Sequence, residues 1–263
     1  MMRSTLWRHV PRLVCCAVVA FVAAWPAPAR AQAPRQPAPA ETAADFLFGA
    51  PRAWLGVRGS YLVPRASGQL FTFVRDQLTL DPADFRAGGL SGDLGIVLPR
   101  GLDVVVGADV NRSTAPSEYR RFIASNGQPI AQTTRFRQTG VRAGLRWSPF
   151  SRGQRISRLA FIPRRLVPFV DTGVATTFYS WSQVGQFVDP GTLAVFNDDF
   201  GSDGWATGPY AGGGVDLQLH RVLYLTVHAR YTRLHGSLGA DFSGFDGIDL
   251  SGLRTSTGFT VVF

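Results

Sequence analysis

The last eleven residues, Leu253 to Phe263 (LRTSTGFTVVF), alternate in polarity at every second position. A period of two is that of a β-strand, whose successive side chains point to opposite faces. The stretch therefore predicts a strand with one largely apolar face that ends in an aromatic residue. That face carries Leu253, Thr255, Thr257, Phe259, Val261 and Phe263, and the other carries Arg254, Ser256, Gly258, Thr260 and Val262.

Seven segments upstream repeat this alternation, and joints that contain Gly, Pro, Asp or Asn separate them. Short joints, 99–101 and 220–221, follow the second and sixth segments and are typical of hairpins. Long connections are predicted at 64–86, 113–132, 182–205 and 234–251, whereas 148–166 is either a turn or an extension of the sheet. The seven predicted strands are 53–63, 87–98, 102–112, 133–147, 167–181, 206–219 and 222–233.

The fifth segment is the least regular, so its phase stays open. The preferred assignment places Val170, Val174 and Phe178 on the apolar face, opposite Asp171 and Thr177. Even strand number and alternating short and long connections are typical of bacterial membrane barrels. The sequence thus predicts an all-β fold, an eight-stranded antiparallel up-and-down transmembrane β-barrel.

The polar faces of these strands carry ions that a dry protein core could not hold unpaired. In a soluble β-sandwich, the considered alternative, the charged face would point outward. In a membrane barrel, apolar side chains face lipid and polar ones fill the interior, while closure leaves no strand edge unpaired. The predicted polar network of the lumen consists of Arg58, Asp93, Asp103, Arg142, Arg146, Asp216, His228 and Arg230.

The first residues follow the order of a secretory signal: basic residues, an apolar run of 13 residues and then small residues. Such a run is too short for a membrane-spanning helix, which needs about 20 residues. Ala29 and Ala31 mark the expected cleavage site. We therefore predict a signal peptide at 1–31, a flexible Pro- and Ala-rich lead-in at 32–50 and the barrel at 51–263. Both cysteines, Cys15 and Cys16, fall within the signal peptide.

The terminal pattern Ser256-x-Gly258-x-x-Val261-x-Phe263, with Phe259 within it, resembles the signal that barrel-assembly machinery recognises in outer-membrane proteins. Residues 50–263 as a whole resemble the eight-stranded outer-membrane barrel family related to the OmpA transmembrane domain and OmpW, most closely at 169–189 and 246–263. The resemblance implies a porin-like protein of the Gram-negative cell outer membrane. Its implied partners are outer-membrane lipid or lipopolysaccharide and the barrel-assembly machinery.

Three functions fit such a barrel. The first is a structural or surface-interaction, adhesin-like role, with a possible extracellular ligand bound by the four long loops. The alternative is an OmpW-like narrow channel for small hydrophobic solutes, and a further one is an enzyme that modifies lipid A or phospholipids. Only His220, His228 and His235 follow the signal peptide, and no spacing marks a catalytic set. We expect no enzyme activity, cofactor or metal.

Charge argues against nucleic acid as a partner. Of 27 basic residues, all arginine, four precede position 32, which leaves 23 against 18 acidic residues, spread along the chain. The arginines of the 148–166 joint, Arg152, Arg155, Arg158, Arg164 and Arg165, are predicted to contact anionic lipid headgroups. Residues 197–204 (NDDFGSDG) match a calcium loop only weakly, since Tyr210 stands where the loop needs Glu. The apolar connection at 64–86 is predicted to fold over the barrel mouth or lie at the lipid interface.

Overall fold

The computed structural model describes residues 46–157, 160–189 and 191–263. The predicted signal peptide, with Ala29 and Ala31, and most of the predicted lead-in lie outside these residues. Over the ranges that are described, none of the helices is long and apolar enough to cross a membrane.

Eight long strands form one antiparallel sheet that closes into a barrel. Each strand pairs with its neighbours in the sequence, and the last strand pairs with both the seventh and the first. The apolar-polar alternation explains this order, because every strand presents one face to the interior and one to the outside. The strands are β1 (Ala53–Pro64), β2 (Ala87–Val97), β3 (Leu102–Ile123), β4 (Pro129–Trp147), β5 (Leu166–Val188), β6 (Val195–His220), β7 (Leu223–Thr232) and β8 (Gly252–Val262).

The two ends of the barrel differ. At the end called here the turn end, a 3₁₀ turn at Pro99–Gly101 joins β2 to β3 and a two-residue turn joins β6 to β7. Arg100 and Gly101 both have positive φ in the first of these turns, at 64° and 77°. The backbone of Phe263 also lies at the turn end, where its carbonyl oxygen accepts hydrogen bonds from the amides of Arg52 and Ala53. The opposite end is called the hairpin end.

Two of the four predicted long loops are instead extended hairpins. β3 and β4 stay paired as far as Ile123 and Pro129, and β5 and β6 as far as Val188 and Val195. Beyond Arg112, β3 pairs with β4 and forms one bridge, at Tyr119, to Leu78 of the β1–β2 connection, so this hairpin projects past the shorter strand β2. The prediction of loops at 113–132 and 182–205 was wrong because small or polar residues occupy both faces of these hairpins, including buried positions such as Ser117 and Ser202, which removes the apolar alternation from the sequence.

The other two connections at the hairpin end are irregular and fold over the barrel mouth. The β1–β2 connection contains the helix α1 (Gln69–Gln77) and a 3₁₀ turn at Pro82–Phe85. The β7–β8 connection contains a 3₁₀ turn at Ala240–Phe242 and two short paired strands, His235–Gly236 and Ile248–Asp249. Their apolar side chains pack together in the mouth, which favours the first of the two placements predicted for 64–86.

The joint between β4 and β5 forms a small sheet of its own. Gly153–Arg155 pairs with Ala160–Pro163, which in turn pairs with Leu47–Phe48. The joint therefore does not extend the barrel sheet. The end of the predicted flexible lead-in is also structured, because the free edge of Ala160–Pro163 offers it backbone hydrogen bonds.

Candidate functional site: the filled barrel and its outer face

The interior of the barrel is the first candidate site, because charged side chains from many strands meet there. The structure places all eight residues of the predicted lumen network on the inner face, each at most 4% exposed. They are Arg58, Asp93, Asp103, Arg142, Arg146, Asp216, His228 and Arg230. Buried ions at this density require partners, and ion pairs provide them.

Asp109 is the centre of the main ion-pair cluster, called here the charged belt. Its Oδ2 atom lies 2.8 Å from Arg142 Nη1, 2.7 Å from Arg230 Nη2 and 3.0 Å from Arg254 Nη1. Ser91 Oγ donates a hydrogen bond to its other oxygen at 2.7 Å. One carboxylate from β3 thus joins guanidinium groups from β4, β7 and β8 across the lumen.

Asp93 extends the charged belt to a second carboxylate. It forms ion pairs with Arg58 of β1 and with Arg142, so Arg142 bridges Asp93 and Asp109. Together the belt contains four guanidinium groups and two carboxylates: Arg58, Arg142, Arg230 and Arg254 with Asp93 and Asp109. The belt therefore carries an excess of positive charge in a buried position.

Arg146 organises a second group nearer the turn end. Its guanidinium carbon lies 4.1 Å from the ring centre of Trp54 and 3.7 Å from that of Phe169, so two aromatic faces enclose the cation. Arg146 Nη1 also lies 3.7 Å from Asp216 Oδ2, and Thr226 donates a hydrogen bond to this carboxylate at 2.7 Å. This group therefore holds together the part of the lumen nearer the turn end, through aromatic stacking as well as through charge.

Arg152 occupies a different place from the one predicted. It forms an ion pair with Asp103, and its side chain is only 13% exposed, so it does not reach a headgroup. Trp54 Nε1 donates a second hydrogen bond to Asp103 at 3.1 Å. The buried carboxylate draws Arg152 inward because it has no arginine from the strands within pairing distance. Arg155, Arg164 and Arg165 are exposed, and Arg158 lies outside the described residues.

The predicted network omitted four charged interior residues. Asp109, Asp171 and Arg254 lie on inward-facing strand positions that the alternation identifies as polar, so the signal was present. Arg152 comes from the joint and carries no such signal. The carboxylate of Asp171 accepts a hydrogen bond from the ring of His228, whose Nε2 lies 2.9 Å from Asp171 Oδ1.

An apolar plug closes the lumen at the hairpin end. Trp181 of β5 contacts three phenylalanine rings, with centroid distances of 5.4 Å to Phe71, 5.6 Å to Phe85 and 5.4 Å to Phe136. Phe71 belongs to α1, so the β1–β2 connection inserts its own side chains into the barrel mouth. A smaller apolar cluster, Trp54, Val105, Tyr224 and Val262, lies at the turn end.

Little space remains between these layers. A cavity of about 10 Å³ adjoins Asp109, Gln138 and Arg254, and a second of about 10 Å³ adjoins Asp216 and Val262. Each is of a size for about one water molecule. Around these two small cavities, side chains therefore fill the interior, as the diameter of an eight-stranded barrel allows.

The outer face of the barrel is apolar. Exposed aliphatic and aromatic side chains follow every strand, among them Leu55, Val57, Leu90, Leu94, Ile96, Val106, Val141, Leu145, Val170, Val174, Leu219 and Val227. Val170 and Val174 are both 52% exposed, which agrees with the preferred phase of the fifth strand. In β8, Phe259 and Val261 point outward, Ser256 is buried and Gly258 pairs with Arg58, and Phe263, which follows the strand, is exposed.

The weaker motifs do not assemble into sites. Asn197–Gly204 lies in β6 and pairs with β5, so the predicted calcium-loop match has no loop. Across the described ranges, no group of three or more His, Cys, Asp and Glu side chains could hold a metal ion. His220 and His235 lie at opposite ends of the barrel, and His228 is buried between Asp171 and Phe169, so the structure does not bring the three histidines together.

No known family model and no curated protein matches the chain. Among solved structures, the outer membrane protein OprG from Pseudomonas aeruginosa is similar at 12% identity and a TM-score of 0.47, over 82% of this chain and 98% of that one. Neisserial surface protein A (NspA) is similar at 13% identity and a TM-score of 0.45, over 80% and 97%. By its own strand pairing, the chain is an eight-stranded antiparallel β-barrel with a closed ring of strands.

Proposed function

We propose that the chain is an integral protein of the bacterial outer membrane, with its apolar outer face against lipid. One observation carries the proposal: the barrel is apolar outside and charged inside. Val57 and Leu90 are each 61% exposed, whereas Asp103 and Arg58 are 0% and 1% exposed. In water this arrangement is unfavourable on both counts, because apolar surface stays hydrated and ions lose their hydration. In a bilayer the outer face contacts acyl chains, so an apolar outer face is the stable arrangement.

The role that fits this barrel is structural and surface-interacting rather than conducting. The charged belt and the apolar plug both fill the lumen, which supports a barrel without an open channel. The β3–β4 and β5–β6 hairpins project beyond the shorter strands and form a surface that an extracellular ligand could contact. The turn end, where two of the three strand connections are short, then faces the periplasm, as in barrels with short periplasmic turns.

Fractionation of cells that produce the full chain tests the location. The protein is expected in the outer-membrane fraction, and the folded barrel should migrate differently from the boiled chain on a detergent gel. A monomer that stays in solution without detergent would overturn the proposal. Replacing Phe263 with Ser tests the predicted assembly signal in the same cells, and an unchanged folded band would contradict that signal.

Single-channel recording on the refolded protein tests the filled lumen. We expect no discrete conductance steps in a planar bilayer. Regular steps from the folded protein would instead support the narrow-channel alternative. Analysis of lipid products after incubation with lipid A and phospholipids addresses the enzyme alternative, for which we expect unmodified lipids.

A further inference from the structure

Four exposed arginines lie together on the outer face of the barrel, towards the hairpin end. Arg112 of β3 and Arg137 of β4 are direct register partners, and both point outward. Arg135 follows on the same face of β4, two residues from Arg137. Arg86 precedes β2 and lies two residues before Gly88, the register partner of Arg112. These four residues are called here the arginine patch.

No member of the arginine patch forms an ion pair in the part of the chain that the structure describes. The arginine–aspartate ion pairs of the described residues all involve other arginines, and none includes a member of the patch. Like charges placed directly opposite each other on neighbouring strands destabilise the pairing. The Arg112–Arg137 pair therefore lacks the partner that would offset its repulsion, and an anion bound between the two guanidinium groups would supply it.

The position of the arginine patch indicates what kind of anion fits. One outward pair nearer the turn end is Val110–Thr139, and the next is Ala108–Val141, which belongs to the apolar outer face. The patch thus begins where that face ends. In a bilayer this is the height of lipid headgroups, and the planar guanidinium fork matches phosphate oxygens. Ser180 and Ser182 of β5 are the register partners of Arg137 and Arg135 and add hydroxyl donors.

We propose that the arginine patch is a binding site for the phosphate groups of a phosphorylated lipid in the outer leaflet. The lipid's acyl chains would lie along the apolar side chains of β3 and β4, and its phosphates would bridge Arg112 and Arg137. The inference rests on the proposed membrane location and adds a specific lipid site to it. A lipid fits better than a soluble anionic polymer, because apolar surface continues directly below the charges.

Titration of the refolded full chain in neutral detergent with diphosphorylated lipid A tests this site. The variant is Arg112→Gln/Arg137→Gln, and the charge-matched control is Arg100→Gln/Arg221→Gln, which changes two exposed arginines in the turns at the other end. We expect the first variant to bind lipid A about 30-fold more weakly and the control to bind like the wild type. Lipid A without phosphates should bind equally weakly to all three proteins.

Three outcomes would overturn the inference. Equal affinity of the first variant and the control for lipid A would show that the patch does not select phosphate. Displacement of lipid A by millimolar inorganic phosphate alone would point to a free-ion site. Tighter binding of dextran sulfate than of lipid A, lost in the first variant, would assign the patch to a soluble polymer. Heat-modifiable migration of each sample reports insertion separately, so a folded barrel without lipid selectivity refutes this inference alone.

Discussion

The middle of the barrel and its hairpin end are filled by opposite chemistries. The charged belt joins Asp109 of β3 to arginines of β4, β7 and β8, so its ion pairs cross the lumen and connect distant strands. The apolar plug packs Phe71 and Phe85 from one connection against Trp181 and Phe136. The belt therefore connects barrel strands to one another, whereas the plug depends on a connection that folds into the barrel mouth. We expect mutations in the two regions to have different effects on stability.

Removing the central carboxylate should have the largest effect. In Asp109→Asn, three guanidinium groups lose the carboxylate oxygen on which they converge. Breaking a buried ion pair from one side costs about 3–5 kcal/mol, so we expect a loss of that order in the free energy of unfolding. Urea unfolding in lipid vesicles, followed by the folded gel band, measures it. Asp199→Asn, at an exposed position of β6, is the control, and similar losses in both variants would contradict a special role for the belt.

A smaller loss is expected from Gly212→Ala in β6. A β-carbon at this position would lie 2.8 Å from both the Ala229 carbonyl oxygen and Asp171 Oδ1 and 2.9 Å from His228 Nε2, so the neighbouring backbone and the Asp171–His228 pair must shift. Crowding of this kind costs about 1–3 kcal/mol. The matched control is Gly88→Ala in β2, whose β-carbon would meet nothing within 4 Å. Equal unfolding midpoints for the two variants would contradict this and would mean that the barrel accommodates the added β-carbon without loss of stability.

Loosening the plug should change the barrel less. In Phe71→Ala, α1 loses its ring contacts with Phe85 and Trp181. We expect faster protease cleavage within 65–86, by about tenfold, because local opening requires less free energy than global unfolding. The urea midpoint of the barrel should stay close to that of the wild type. Phe73→Ala is the control, since Phe73 is 52% exposed. A decrease in the urea midpoint as large as that of Asp109→Asn would show that the plug and the belt contribute equally to the stability of the barrel.

The smallest effect is expected at the tip of the β5–β6 hairpin, far from both regions. Backbone amides of Thr192 and Gly191 donate hydrogen bonds to the Asp189 carboxylate at 2.8 Å and hold its pKa below the ordinary value. The charged form favours the ordered tip, so this contribution persists above the ordinary pKa and disappears as pH falls through the lowered one. Amide hydrogen exchange of Thr192 should therefore accelerate only at pH values below the ordinary carboxylate pKa. Asp189→Asn should remove that pH dependence, and a step at the ordinary carboxylate pKa would contradict it.

The charged belt could largely be predicted from the sequence, and the plug could not. A closed barrel of this size forces side chains of opposite polarity to opposite faces, so the period of two identifies Arg58, Asp93 and Arg142 as inward. The plug depends on how a connection folds back. The local sequence pattern of 64–86 does not predict that Phe71 contacts Trp181, which lies more than a hundred residues away in the sequence.

The projecting hairpins were missed for a related physical reason. Alternation of polarity in the sequence requires apolar residues on one face, and in these hairpins the buried face also carries polar residues such as Ser117 and Ser202. Residues such as Pro116 and Gly201 then look like loop residues, although each has a register partner in the neighbouring strand. Hydrogen bonding between backbones, which carries no side-chain pattern, extends the strands there.

The seam between β8 and β1 has a consequence for the time course of folding. Gly252 pairs with Pro64 and Val262 with Trp54, so the ring closes through contacts between residues about two hundred positions apart. Until the final segment arrives, β1 and β7 each expose an unpaired edge that could join other chains. Contacts of such long sequence separation also form slowly. Until its last strand pairs on both sides, the chain is therefore open to aggregation through these two edges.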